Sequence, residues 1–335
     1  MKIQPDTKKK ERQFLRSVLK GIVAAGLFFV IPVSAGPRRP ANGSIAFTSE
    51  RDGNPEIYTV KSDGSGETRL TNNNIVDDAA AWSPDGKNIA FVSQNDYGQF
   101  AIFTMTAVGG GRAEVTRLDY FSRFLTTLNW STDGRKIVFS DSVSGTFNGT
   151  DVFTVNVNGS GKTNLTSDHA HFDGFPVWSP DGLNILFSRY DTYPPVGYGG
   201  TMLHIIKFDG TGLTALENGF ADGWNEDFAD WSPVTNKIIY SVNRWDHVED
   251  LFIASPDGTK RTYIEGCNWT STSCRWHALH PRFSPDASKV VFTKSNFEGG
   301  DQIFTKNLAD GRMKLLVNNA RNPSWQPRRI DLSGS

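Results

Sequence analysis

Trp82-Ser83-Pro84-Asp85-Gly86, with the apolar run Ile89-Ala90-Phe91 close behind it, decides the fold because it returns along the chain. It reappears as Trp130-Ser131-Thr132-Asp133-Gly134, Trp178-Ser179-Pro180-Asp181-Gly182, Trp231-Ser232-Pro233 and Phe283-Ser284-Pro285-Asp286, at intervals of 48, 48, 53 and 52 residues. Pro presets φ, Asp bonds its own backbone and Gly accepts a positive φ, so each copy reads as a hairpin turn between two strands. A third strand follows, such as Glu56-Ile57-Tyr58-Thr59-Val60 or Asp151-Val152-Phe153-Thr154-Val155, rich in β-branched and aromatic residues. Glycine turns at Asp63-Gly64-Ser65-Gly66, Asn158-Gly159-Ser160-Gly161, Asp209-Gly210-Thr211-Gly212 and Asp257-Gly258 then lead to a short fourth strand, marked by Leu70-Thr71 and Leu165-Thr166.

Four strands per period with almost no helical periodicity describe one blade of a β-propeller. Ile45-Ala46-Phe47 matches a second strand that lacks its Trp partner, and Asn322-Pro323-Ser324-Trp325-Gln326-Pro327 matches a first strand that then stops. Pairing the two ends closes the ring and removes an exposed sheet edge. The expected fold is therefore all-β: six four-stranded antiparallel blades over residues 43–327, with 36–42 as a linker and 328–335 as a tail. Trp82, Trp130, Trp178, Trp231, Trp325 and Phe283 are expected to pack between neighbouring blades.

The amino terminus reads as something other than fold. Lys8, Lys9, Lys10, Arg12, Arg16 and Lys20 precede an apolar run from Gly21 to Val33 that ends in Val33-Ser34-Ala35. This is the pattern of a secretory signal cleaved after Ala35, and the run is too short for a membrane span of about 20 residues. Removing its seven basic and two acidic residues from totals of 35 and 36 leaves 28 against 34, a net charge of −6. That balance carries no nucleic-acid footprint. A periplasmic or secreted location follows, with no membrane span after cleavage. In such an oxidising compartment the only two cysteines, Cys267 and Cys274, are expected to form a disulfide. Closing so short a loop stabilises by roughly 2.5 kcal/mol in the chain-entropy model.

The Trp-Ser-Pro-Asp-Gly, Ile-x-Phe and Leu-Thr pattern resembles the WD-repeat-like propellers of the TolB family over essentially the whole chain beyond Ala35. The resemblance implies a periplasmic six-bladed propeller with a central channel that holds protein partners. Fewer than ten residues separate Ala35 from the first strand, so no counterpart of the α/β domain that precedes the TolB propeller is expected. The repeat class also includes a metal-dependent lyase of pectic oligosaccharides.

Chemistry is sought in the loops that join each fourth strand to the next first strand, which all open on one face of the ring. Gly159-Ser160-Gly161-Lys162-Thr163 ends like a phosphate-binding loop, but it leads into a strand where such a loop needs a helix. A Gly-x-Ser-x-Gly nucleophile elbow is missing from the sequence. The later loops hold Asp168-His169-Ala170-His171, then Glu226 and Asp227, then His277 and His280. His169, His171, Glu226, Asp227, His277 and His280 are the nitrogen and oxygen donors that a divalent metal would require, the one cofactor considered; structural histidines are the alternative. Tyr193, Tyr198, Trp224, Trp245, Trp269 and Trp276 lie out of phase with the repeat and suit an aromatic surface for a partner protein or a sugar ring. The leading expectation is a non-catalytic scaffold that binds an envelope or secreted protein, or a carbohydrate, through the loop face and channel mouth. The alternative is a metal-dependent lyase or hydrolase acting on oligosaccharides.

Overall fold

The computed structural model describes residues 41–119, 127–142, 149–167, 171–191, 200–216, 225–243, 249–266, 276–296 and 300–328. Blade 1 combines the two ends of the chain: β1 (Ala41–Ser49), β2 (Glu56–Lys61) and β3 (Thr68–Arg69) are joined by the last strand, described below. Blade 2 is β4 (Asp77–Trp82), β5 (Asn88–Gln94), β6 (Phe100–Thr106) and β7 (Ala113–Arg117), and blade 3 is β8 (Leu128–Trp130), β9 (Lys136–Asp141), β10 (Asp151–Asn156) and β11 (Thr163–Asn164). Blade 4 is β12 (Phe172–Trp178), β13 (Asn184–Asp191), β14 (Gly200–Lys207) and β15 (Thr214–Ala215). Blade 5 is β16 (Asn225–Trp231), β17 (Ile238–Asn243), β18 (Glu249–Ala254) and β19 (Thr262–Glu265). Blade 6 is β20 (Trp276–Phe283), β21 (Lys289–Asn296), β22 (Gln302–Asn307) and β23 (Met313–Asn318), after which β24 (Arg321–Arg328) crosses into blade 1. Every pairing within a blade is antiparallel, so the fold is the expected six-bladed propeller.

The ring closes as the sequence requires. β24 pairs with β1, placing Trp325 opposite Ile45 and Ser324 opposite Ala46. The hairpin turns are built by side chains. Ser83 Oγ donates to Asp85 Oδ1 at 2.7 Å and accepts from the Asn88 amide at 2.9 Å, and Gly86 takes φ 69°. Ser131 with Asp133 and Ser179 with Asp181 repeat the arrangement. Blade 5 lacks Asp-Gly and substitutes Thr235 Oγ1, which donates to Ser232 Oγ at 2.7 Å, while Asn236 takes the positive φ. In blades 1 and 3 the fourth strand is only two residues long because Leu and Thr fold back under the third strand: Leu70 N donates to Ile57 O, and Ile57 N to Thr71 Oγ1. Leu165 and Thr166 do the same at Val152.

The core is divided by seam. Six clusters of buried apolar residues each span two neighbouring blades; five contain one motif aromatic, and the partly buried Trp231 packs against the sixth. Trp82 packs with Ala46 and Ile57 of blade 1, and Phe283 with Ile239 and Leu251 of blade 5. Polar groups beside these aromatics reinforce the seams. Trp82 N donates to Ser324 Oγ at 3.3 Å, Trp178 N to Asn129 Oδ1 at 2.9 Å and Phe283 N to Asp230 Oδ2 at 2.8 Å. Burial of the aromatics thus orients the blades, and the innermost strands are left to line the channel.

Candidate binding cavity in the central channel

The innermost strands β4, β8, β12, β16, β20 and β24 run from the loop face to the face that carries the Ser-Pro-Asp-Gly turns. At the turn end they enclose a cavity of about 500 Å³. Its mouth is bounded by Pro84, Thr132, Pro180, Pro233, Pro285 and Pro327, and the six motif aromatics stand behind them. The aromatics therefore serve twice, as seam core and as channel wall.

Deeper in the channel the backbone follows a rule that the sequence does not display. Three residues before the motif aromatic, five innermost strands place a non-glycine residue in the left-handed region: Ala79 (56°), Phe175 (55°), Phe228 (54°), His280 (51°) and Asn322 (54°). The register of each strand breaks at the same place, the signature of a β-bulge. Such bulges re-aim a side chain, and a non-glycine residue held there stores strain of about 1–3 kcal/mol. The bulge belongs to the fold, since it recurs from blade to blade; the side chain it carries does not. Phe175, Phe228 and His280 of three adjacent blades form a contiguous row of tilted ring contacts, with centroids 4.2 Å apart and planes inclined at 50° and 59°. In the other half of the ring the equivalent positions are Asn322, Ala79 and Thr127, so the channel is aromatic on one side and small or polar on the other.

Charge is equally uneven. Immediately before the motif aromatics stand Ala81, Asn129, Val177, Asp230, Arg282 and Ser324, and only Asp230 and Arg282 are ionisable. Arg282 Nη1 donates to Ala229 O at 2.9 Å and lies 3.9 Å from Asp230 Oδ1. Burial raises the Asp230 carboxyl, opposed by Arg282 and the Phe283 amide. His280 is pushed down to about 3, first by burial and then by Arg282 and Arg321, so its imidazole is neutral at physiological pH. The His280 residue is half-buried and lines the channel.

Three of the proposed rim donors, Glu226, Asp227 and His277, are held by separate neighbours. Glu226 is bonded by Arg261, whose Nε also donates to the Tyr240 hydroxyl at 2.7 Å. Asp227 Oδ2 accepts from Thr201 Oγ1 at 3.1 Å, and burial pushes its carboxyl up to about 7. His277 Nδ1 lies 2.6 Å from Glu249 Oε2 near the loop face, whereas His280 sits at the bulge. His171 directly precedes β12. Among the described residues no three His, Cys, Asp or Glu side chains converge as a metal would require. Trp276 opens β20 with Lys294 Nζ 3.8 Å from its ring centroid. His169, Tyr193, Tyr198, Trp224, Trp245, Trp269, Cys267 and Cys274 lie outside the described residues. Sequence reasoning missed Arg282, Asp230, Asn322 and the Phe175–Phe228 contact. The available signal was their constant distance from the motif aromatic in repeats whose residues there differ.

Comparison with known proteins agrees with this architecture. The model of the TolB beta propeller domain family matches residues 31–233. A protein described as a TolB homolog from Chlorobium luteolum is 34% identical over 184 residues, covering 54% of this chain and 36% of that one. The Tol-Pal system protein TolB of Francisella tularensis subsp. holarctica is 25% identical over 223 residues, covering 66% and 48%. The chain thus spans half or less of the length of these two relatives. The crystal structure of TolB from Acinetobacter baumannii superposes with a TM-score of 0.67 at 18% identity, covering 97% of this chain and 74% of that one, which shows a shared fold. Match, repeat and ring together place the chain in the TolB β-propeller family.

Proposed function

We propose that this protein is an exported, non-catalytic scaffold that binds an envelope or secreted partner, or a ligand, through its loop face and channel mouth. One observation carries the reading: a structurally uniform ring encloses, at the turn end of the channel opposite the loop face, a cavity whose lining differs from blade to blade. Packing alone would be served by a uniform lining; a site for a particular guest needs an uneven one. The rim carboxylates and histidine support the same view, because Glu226, Asp227 and His277 already have protein partners. Export is supported by the Lys- and Arg-rich leader and the Val33-Ser34-Ala35 end of its apolar run.

The test begins with the full chain produced in a Gram-negative host. Intact mass of the protein released by osmotic shock is expected to correspond to a chain beginning at Gly36 and lacking two hydrogens, as a Cys267–Cys274 disulfide requires. Capture from the same fraction is expected to give a discrete partner whose recovery falls with Trp276→Ala. Retention of the uncleaved chain in the cytoplasm contradicts export, and recovery unaffected by Trp276→Ala contradicts the loop-face assignment.

A further inference from the structure

Arg282 differs from the other residues in its layer of the channel. Asn129, Asp230 and Ser324 each accept a backbone amide from the next blade, and Ala81 O accepts Trp130 Nε1 at 3.0 Å. These groups complete seams. Arg282 donates to Ala229 O instead and lines the cavity. Its side chain is 15% exposed and that of Asp230 is 13% exposed, and at 3.9 Å the two are near neighbours without a hydrogen bond. Guanidinium does not lose its proton in proteins, so a cation lines the chamber, and among the described residues its one hydrogen bond is to Ala229 O.

Two further groups show that this wall is incomplete. His280 Nδ1 and Asn322 Oδ1 are buried and have no hydrogen-bond partner, and both residues line the same cavity. Buried polar groups in native proteins are nearly always satisfied, and exceptions call for a water, an ion or a guest. The three groups lie on adjoining strands, β20 and β24, and across the cavity from them stand Leu128, Trp130, Trp178 and Pro180 together with Thr127, Asn129 and Thr132. The chamber thus carries one cation on walls that are mainly Trp, Pro, Ala and Leu, with neutral polar groups interspersed and Asp230 as the one carboxylate among its lining residues.

We propose that the cavity is a carboxylate site: the Arg282 fork holds the carboxylate, and an aromatic or aliphatic body fills the space walled by the motif tryptophans and prolines. Arginine matches a carboxylate with two parallel hydrogen bonds, a geometry that lysine cannot supply. A volume of about 500 Å³ lies within the range of small-molecule sites. Asp230 is the counter-charge that such a guest meets. Its Oδ2 is already committed to the Phe283 amide, which keeps that carboxylate on the seam side of the guanidinium. The assignment rests on the reading of the propeller as a binding scaffold and gives its channel a ligand class. A free acid and the terminal carboxylate of a peptide share this chemistry.

The experiment titrates the chain from Gly36 onward with 3-phenylpropionate and with its neutral amide, reading intrinsic fluorescence. Trp82, Trp130, Trp178, Trp231 and Trp325 border the site and report its occupation. Saturable binding of the acid is expected, weakened by about tenfold or more for the amide, as loss of a charge-assisted bidentate contact predicts. Arg282→Gln and Arg282→Lys, checked for folding by circular dichroism, should each weaken the acid and leave the amide unchanged. If either variant fails to fold, the comparison of acid with amide on the parent still decides. A Gly-Gly-Phe peptide with a free terminus that binds more tightly than the acid, and loses this advantage on amidation, supports the site with a chain end as its source. Equal binding of acid and amide overturns the carboxylate assignment and leaves the scaffold reading standing. Absence of any response to the acid, the amide or the peptide overturns the cavity as a binding site.

Discussion

Arg321 Nη2 donates to Asp78 Oδ2 at 2.9 Å, and this pair ties the last strand of the chain to the second blade. Asp78 is buried and also accepts from Thr48 Oγ1 at 2.7 Å and Asn322 Nδ2 at 3.2 Å, so one carboxylate gathers β1, β4 and β24. Ring closure therefore has a polar lock beside the apolar seam of Trp325. Breaking a buried pair by removing one partner costs about 3–5 kcal/mol because the other charge is left uncompensated. Asp78→Ala should lower urea-unfolding stability by that amount, and Arg321→Met together with Asp78→Ala should recover part of it. A single variant within about 0.5 kcal/mol of the parent would show that the lock contributes nothing.

The motif tryptophans are not equivalent despite their common position. Trp130 Nε1 donates to Ala81 O, whereas Trp82 Nε1 and Trp178 Nε1 are buried without a partner. Phenylalanine removes the indole N–H in every case, but of these three only Trp130 loses a hydrogen bond by it. Trp130→Phe is expected to cost about 1 kcal/mol more than Trp82→Phe in chemical denaturation. Equal losses would mean that the seam bond carries no net stability.

His280 gives the channel a pH response whose sign follows from its shift. Its folded value is pushed down to about 3 from an ordinary 6.5, so the unfolded chain binds a proton in this window that the native chain does not. Stability contributed by the neutral ring is full above pH 6.5 and is lost as pH falls toward 3. His280→Phe extends the Phe175–Phe228 row at a φ that phenylalanine already adopts in both those positions. Relative to the parent, the variant should gain about 1–2 kcal/mol between pH 6.5 and pH 5 in paired denaturation curves. A constant difference across that range would place a protonated ring in the native channel.

Asp227 works in the opposite direction. Burial, with Glu249 and Glu226 nearby, lifts its folded value to about 7 from 3.8, so the native chain retains a proton that the unfolded chain has released. The associated stability is full below about pH 4 and is lost as pH rises through 7. Asp227→Asn, which keeps a neutral amide against Thr201, should flatten the decline of stability between pH 5 and pH 8. An unchanged slope would mean that Asp227 is ionised throughout.

Much of the fold was legible because its signals repeat. Trp-Ser-Pro-Asp-Gly marks the turn in register with a buried aromatic, and the unmatched halves around Ile45 and Trp325 announce the closure. The channel was illegible for the opposite reason. Positions three residues and one residue before the aromatic carry Ala, Phe, His or Asn and Ala, Val, Asp or Arg, so no recurring residue points to them. Their left-handed backbone is also hidden, since Phe175 and Phe228 are of a bulky type that seldom adopts it. Loop phase alone grouped the rim histidines. Phase fixes the blade and the face but not the depth, which is why His277 and His280 part company, one beside Glu249 and one against Phe228.

The central claim, that partners are engaged at the channel mouth and loop face, is tested most directly by site-specific photo-crosslinking in the periplasm of producing cells. A photoreactive residue would stand at Thr132 on the cavity mouth, at Trp276 on the loop face, or at Val108, which is 84% exposed on an outer turn. Discrete adducts at Thr132 or Trp276 with none at Val108 are the predicted result. The same adducts at all three positions, or none at Thr132 and Trp276, would contradict the account.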